Sequence, residues 1–311
     1  MPIQSLHRFL RSFFPQSLYN TYKFRVKITN ARKFKSLLIF FPTLYDFLFR
    51  RKTILFYPDE PLEIHILYKI IRFLGHRIIS DPSQNFDLAF LWWRSFEGIP
   101  YAPENTCQVL ADAAKKNNAK ILNIRCNDVS KILVIKCFEE AFGYSISVDP
   151  EKYNGKCVMK SNGNGLHIGG ILDCPTTRAD GFVYQKIINN ETKEGLVEDM
   201  RVPIYNDTTP FIYLKYRSVD DRLVDRVHTN TKATIARVSD YLSEEELKKI
   251  YLFAHKIGMD CGEVDVLRDQ NDGQIYIVDA NNFPSGPPSP ISDEEGNRAV
   301  LSLSKTFAKV F

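Results

Sequence analysis

Apolar positions change period several times along the chain, and each change predicts an element. Thr53 to Tyr57 (TILFY) is a compact apolar run stopped by Pro58 and Pro61, and reads as a strand. In Leu62 to Gly75 (LEIHILYKIIRFLG) apolar residues fall at 62, 64, 66, 67, 70, 71, 73 and 74, close to helical spacing, with Gly75 as the C-cap. HRIIS and FDLAFLWW predict two further short strands. NTCQVLADAAKKNN predicts a helix, and AKILNI (Ala119 to Ile124) another strand. Strand–helix–strand alternation of this kind predicts a small parallel sheet with crossover helices over roughly residues 52–126.

Beyond it, NDVSKILVIKCFEEAFG predicts a helix capped by Asn127, Asp128 or Ser130 and closed by Gly143. Strands are expected at SISVD, KCVMKS, GFVYQKII, EDMRVPIYN and PFIYLKYRS, the last two flanking a turn at Asn206 to Pro210. Ser243 to Gly258 (SEEELKKIYLFAHKIG) carries a Ser cap, acids in its first turn and a closing glycine, all helix signals. GEVDVLRD and QIYIVDAN predict two strands, and a last helix fills Asp293 to Val310.

Asn271-Asp272-Gly273 between those two strands is a strong hairpin signal. A turn centred on Asp272 sets Asp265 opposite Asp279 and Glu263 opposite Asn281, all four side chains on one face. Opposed carboxylates repel unless something positive sits between them, and a hard divalent cation such as Mg²⁺ is an economical answer. A solvated acidic face is the plainer alternative, and a register slip of one residue would separate the acids.

Composition narrows the class. Hydrophobic residues are 44% and charged residues 25% of the 311, ordinary for a globular protein. The six cysteines are dispersed without a C-x-x-C pair, and the histidines lack metal spacing, which suits a reducing cytoplasm and excludes a zinc ribbon. The net charge of +4 is uneven: residues 1–50 hold nine Lys/Arg against Asp46, so residues 51–311 carry −4. That basic segment interleaves Phe9, Phe13, Phe14, Tyr19, Tyr22, Phe24 and Phe34. It reads as helices packed on the main domain, with peripheral contact to an anionic membrane or another polyanion as alternatives. Leu37 to Phe49 is shorter than the ~20 residues that span a bilayer, and no signal-peptide pattern is visible. The expected location is the cytoplasm, with or without contact to the inner face of the membrane.

GEVDVLRD followed by GQIYIVDANNFPSG resembles the C-terminal metal hairpin of the ATP-grasp superfamily, with Asp279 where Glu is commoner. Other parts follow in the family's order. In SKILVIKCFEEAFG, Lys131 and Lys136 match a pair of helix lysines, the second facing ATP phosphates. In CVMKSNGNGLHIGG, Lys160 precedes a small-residue loop, Ser161 to Gly170; that loop lacks both the GK[ST] of a P-loop and the spacing of G-x-G-x-x-G. FVYQKII places Gln185 where an acid usually meets adenine, and EDMRVPI supplies Arg201.

The resemblance covers roughly residues 52–290 and implies an α/β (α+β) ATP-grasp fold: a small α/β domain over 52–126, then an ATP-grasp domain over 127–311, divided into 127–190 and 191–311. The cofactors it implies are ATP and Mg²⁺. Lys136, Lys160, Ser161, Gly163, Gly165, Gln185, Lys186 and Ile188 would bind ATP, and Asp265, Asp279 and Asn281 the metal. Arg201 and Lys160 would act in catalysis, and Lys215, Arg217, Asn282 and Ser285 would contact the acceptor. Surface placement is the plainer alternative for Lys136, Gln185 and His167, and pairing with Glu198 or Asp199 for Arg201. The implied activity is an ADP-forming ligase joining a small-molecule, glycan or peptide carboxylate to an amine. A kinase of the same fold and a non-catalytic nucleotide-binding scaffold at a membrane are the rivals. No nucleic acid is expected, and the oligomeric state is open, a dimer being one option.

Overall fold

The computed structural model describes residues 11–12, 14–30, 33–93, 102–103, 105–163, 168–221 and 230–310, without the side chains of 33–37. Contacts divide the chain into two compact units, residues 1–92, 108–121 and 293–311 in one and 93–107 and 122–292 in the other.

In the first unit a four-stranded sheet runs in the order β2-β1-β3-β4, with β1 (Thr53–Pro58), β2 (Arg77–Ile79), β3 (Leu88–Trp92) and β4 (Lys120–Leu122). β1 pairs in parallel with β2 and with β3. Ile54, Leu55 and Phe56 are buried, as is every residue of β3, the pattern of parallel strands covered on both faces. Its helices include α1 (Gln16–Ile28), α2 (Lys33–Phe49), α3 (Ile66–Leu74), α4 (Thr106–Asn117) and, last in sequence, α7 (Asp293–Phe307). Helix α3 begins four residues later than its spacing predicts, because Leu62 to His65 form a turn in which Leu62 N donates to His65 Nδ1. The terminal helix thus packs with this unit and not with the strands that precede it in sequence, and Phe307 stacks on Phe90.

One buried arginine ties three helices. Arg25 on α1 donates through Nε to Phe73 O at 2.6 Å and through Nη2 to Leu74 O at 3.2 Å. These are last-turn carbonyls of α3, which have no partner within their own helix. Its Nη1 pairs with Asp46 of α2 at 2.9 Å and donates to Thr43.

Among the described residues the second unit holds two sheets and two α-helices. Strands β5 (Gly155–Ser161), β6 (Gly169–Cys174) and β7 (Phe182–Lys186) form an antiparallel sheet in the order β6-β5-β7. The strand expected at SISVD is a single bridge from Ser147 to Gln185, cut short by Pro150 and by the turn that Asp149 accepts. The loop expected over 161–170 ends early, since Gly169 and Gly170 open β6. A Cβ on Gly169 would stand 2.1 Å from Met159 O, so only glycine lies this close to β5.

The larger sheet has the order β10-β9-β8-β11-β12, from β8 (Leu196–Tyr205), β9 (Ile212–Ser218), β10 (Lys232–Ala236), β11 (Cys261–Arg268) and β12 (Ile275–Asn281). Its even-numbered residues Met200, Val202, Ile204, Leu214, Val264 and Val266 join a core with Val134 and Phe138 of α5 (Lys131–Phe142) and Ile250 and Phe253 of α6 (Glu244–Ile257). Helix α6 begins in the expected capping box of Ser243 and Glu246. The odd-numbered residues of β8, β9 and β11 therefore take the other face.

His76 follows the cap of α3, accepts from Lys52 N, and is pushed down to about 4 by burial first and by Arg25 second. The folded state keeps it neutral while the unfolded chain protonates near 6.5, so stability is full above pH 6.5 and falls as pH drops toward 4. Denaturant titrations should show wild type losing on the order of 1–2 kcal/mol more than His76→Gln across that window.

Candidate active site

The odd-numbered face of the large sheet is a layer of charge. Asp265 on β11 lies between Arg201 of β8 on one side and Asp279 of β12 on the other. Arg201 grips it with two parallel bonds, Nε to Oδ1 at 2.9 Å and Nη2 to Oδ2 at 3.0 Å. Lys215 of β9 adds a third from Nζ to Oδ1 at 3.0 Å. Burial alone would raise the Asp265 carboxyl, but the charges and hydrogen bonds of Arg201 and Lys215 outweigh it and hold it far below the usual range. Arg201 does not pair with Glu198 or Asp199; Asp199 instead takes Arg217 at 2.8 Å and Asn190 at 2.9 Å.

Glu263 shares this face and is only 1% exposed. Its nearest cation is Arg201, at 3.7 Å, and neither carboxyl oxygen has a hydrogen-bond partner. Burial pushes it up to about 7, against the pull of Arg201. Strand parity with Asp265 marked its place on this face. Asp199, expected only as an alternative partner for Arg201, lies two residues before it, and the same parity places it on this face.

The register expected at the hairpin holds where the acids are: Asp265 opposes Asp279 and Glu263 opposes Asn281. Nearer the turn the pairing is offset by one, and a bulge between Asp265 and Val266 restores it. Asp279 is about a third exposed and takes Lys131 Nζ at 2.6 Å. Asn281 accepts from Phe283 N, so its side chain also shapes the exit turn. Asn282 donates to Cys126 O at 2.5 Å, a bond that fixes the 122–127 segment, and Ser285 is exposed in the proline–glycine turn.

The two lysines of α5 are placed differently. Lys136 is exposed and lies near Glu140 and Lys256, whereas Lys131, at the first turn of α5, is the lysine that reaches the acids. Its helix is not capped by its own flanking residues. Asn162, just after β5, accepts from Lys131 N at 3.0 Å through its backbone and from Ile132 N at 2.9 Å through its side chain. The small-residue loop therefore starts at the N-terminus of the helix that carries Lys131.

Lys160 is half-buried near the end of β5, opposite Gly169 and Val183, and Ser161 is buried beside Gly163 O. Gln185 is 2% exposed, and its Nε2 has no partner. The Lys186 side chain is used within the protein, bonding Asp272 at 3.0 Å, Asp269 at 3.2 Å and Tyr276 at 2.5 Å. Ile188 is buried just after it. Gly165 and His167 lie outside the described residues.

A search of solved structures decides the architecture. The ligase PsnB, solved with a minimal precursor, Mg and ADP, superposes with a TM-score of 0.52 at 12% identity, over 81% of this chain and 96% of that one. D-alanine–D-alanine ligase from Bacillus anthracis, solved with ATP, superposes with 0.50 at 13%, over 82% and 94%. The chain has the ATP-grasp fold. No family model and no curated relative matches the sequence.

The residues bear on the metal of that fold. Among the described residues no three His, Cys, Asp or Glu side chains gather as a metal cage. Two carboxylates and an amide, Asp265, Asp279 and Asn281, remain. An oxygen-only set with few carboxylates suits Mg²⁺, which retains waters and substrate oxygens, so the residues fit. The repulsion between Asp265 and Asp279 is nonetheless offset by Arg201, Lys215 and Lys131, without any need for an ion.

Without nucleotide, Asp265→Asn should lower stability by about 3 kcal/mol or more, because it strands Arg201 and Lys215. Asp279→Asn, at a third exposed, should cost no more than about 1 kcal/mol. Urea denaturation of both variants with unchanged m values checks the contrast.

Proposed function

We propose that the protein is an ATP-dependent ligase that activates a carboxylate as an acyl phosphate and joins it to an amine. The observation that carries this reading is the set of three cations, Lys131, Arg201 and Lys215, held on two carboxylates along one face of a single sheet. Such groups can be transferred to incoming phosphate oxygens without reorganising the fold, which is electrostatic preorganisation.

On this reading Gln185, with an unpartnered buried amide nitrogen, meets the base, and Lys160 and the loop from Ser161 meet the phosphates. Asp265, Asp279 and Asn281 would hold Mg²⁺, which when bound polarises phosphate oxygens and draws off charge. A carboxylate oxygen of the acceptor attacks the γ-phosphorus, the bond to the β,γ-bridging oxygen breaks, and ADP leaves. Arg201 and Lys215 steady the acyl phosphate. The amine nitrogen then attacks the acyl carbon, loses a proton and expels phosphate. No protein nucleophile takes part, and Cys126, buried with its thiol pushed well up by that burial, is not one. The solved relatives include a ligase bound to a precursor peptide and one that joins amino acids, and both a peptide and a small acid present this carboxylate chemistry.

The test is an ADP assay with hydroxylamine over a panel of carboxylates and peptides. Carboxylate-dependent hydroxamate is the expected product. A phosphorylated product that forms without any amine would replace the ligase by a kinase. Asp279→Ala and Lys131→Met should each lower turnover by about 10²-fold or more, while Lys136→Met leaves it unchanged.

A further inference from the structure

Helix α2 is apolar on both sides. One side carries Phe40 and Thr43, both buried, and Asp46, the last two held to Arg25 of α1. Phe40 packs edge-to-face against Tyr22 of α1 at 5.7 Å. On the opposite side Leu38, Phe41, Tyr45, Leu48 and Phe49 stand 51–73% exposed. Their spacing of three, four, three and one gathers them into a single stripe about 100° wide. An all-round apolar helix belongs in a core or at a lipid surface, and this one is only half covered by its own unit.

Two observations point to the occupant. The first is charge: residues 1–50 carry nine Lys/Arg against Asp46, and that one acid is taken by Arg25. Arg50 and Arg51 close the lower end of the helix, with guanidinium groups 5.3 Å from the Tyr45 ring and 4.5 Å from the Phe47 ring. The second is size. From Leu38 to Phe49 the stripe is about 17 Å long, and its five side chains at 51–73% exposure present on the order of 600 Å², below the ~800 Å² per partner of a stable protein interface. A second copy would also set two strongly basic segments against each other. A helix of about 26 Å with a buried aspartate contact lies along a surface; none of the described helices is long and apolar enough to cross a membrane.

We propose that the outer face of α2 seats on an anionic lipid bilayer, with Leu38, Phe41, Tyr45, Leu48 and Phe49 at the headgroup boundary and the flanking Lys/Arg on the headgroups. Aromatic and leucine side chains supply the apolar contact, and the basic residues make it depend on anionic lipid and on salt. The proposal does not depend on the ligase reading.

The full-length chain is sedimented with phosphatidylcholine vesicles with and without phosphatidylglycerol, at low and high salt, beside a Phe41→Ser/Leu48→Ser variant. Both substituted residues are exposed, so the variant should keep the wild-type circular dichroism and unfolding midpoint. Wild type should pellet with the phosphatidylglycerol vesicles alone and be released by salt, and the variant should partition at least tenfold less. Wild type left in the supernatant, equal binding to neutral vesicles, or undiminished binding of the variant each overturns the proposal. So does a dimer in sedimentation equilibrium that the variant abolishes without any vesicle binding, which would make the stripe a contact between copies.

Discussion

Asp265 sits under the grip of Arg201 and Lys215, and the arrangement of the second unit follows from that contact. A carboxylate buried beside other carboxylates is costly unless cations answer it with directed bonds. Arg201 answers with its planar fork from the neighbouring strand β8, and Lys215 reaches across from β9. This works because the strand order puts β8 between β9 and β11, so that residues 215, 201 and 265 project from adjoining strands onto one face. The opposite face of the same strands is apolar and lies on α5 and α6. The sheet is therefore a partition between a hydrophobic core and a charged surface, with each strand alternating between the two.

The smaller sheet is tied to this surface by bonds that also carry the candidate chemistry. Lys186, just past Gln185, is locked onto the hairpin turn through Asp269, Asp272 and Tyr276. Asn190 bonds Asp199 on the charged face. Asn162 caps α5 and so couples the start of the small-residue loop to Lys131, which in turn reaches Asp279. A phosphate chain bound along this route would meet groups whose positions are interdependent, so a substitution at Asn162 or Lys186 acts on geometry without touching a ligand.

The first unit depends on a different buried cation. Arg25 holds the end of α3 and the inner face of α2, and that inner anchoring leaves the outer stripe of α2 facing away from its own unit. The basic character of the first fifty residues is thus divided: one arginine is structural, and others such as Lys23 and Lys27 are exposed.

Much of this was legible in the sequence. The alternation of periods marked most strands and helices, Gly75, Gly143 and Gly258 closed their helices in the left-handed conformation, and the Asn-Asp-Gly turn paired Asp265 with Asp279. These are local properties: period, cap chemistry and turn chemistry each act within a few residues. Helix capping by Asn162, the contact of Lys131 with Asp279, the use of Asn282 as a brace and the cations on Asp265 were settled only by tertiary structure. Each joins residues 30 to 160 positions apart, such as Lys131 with Asp279 and Cys126 with Asn282. Nothing in a side chain's type says which distant partner the packing of sheets and helices will bring to it. The sequence by itself determined that two acids would face each other; the fold decided that protein cations, two from neighbouring strands and one from a helix, would stand among them.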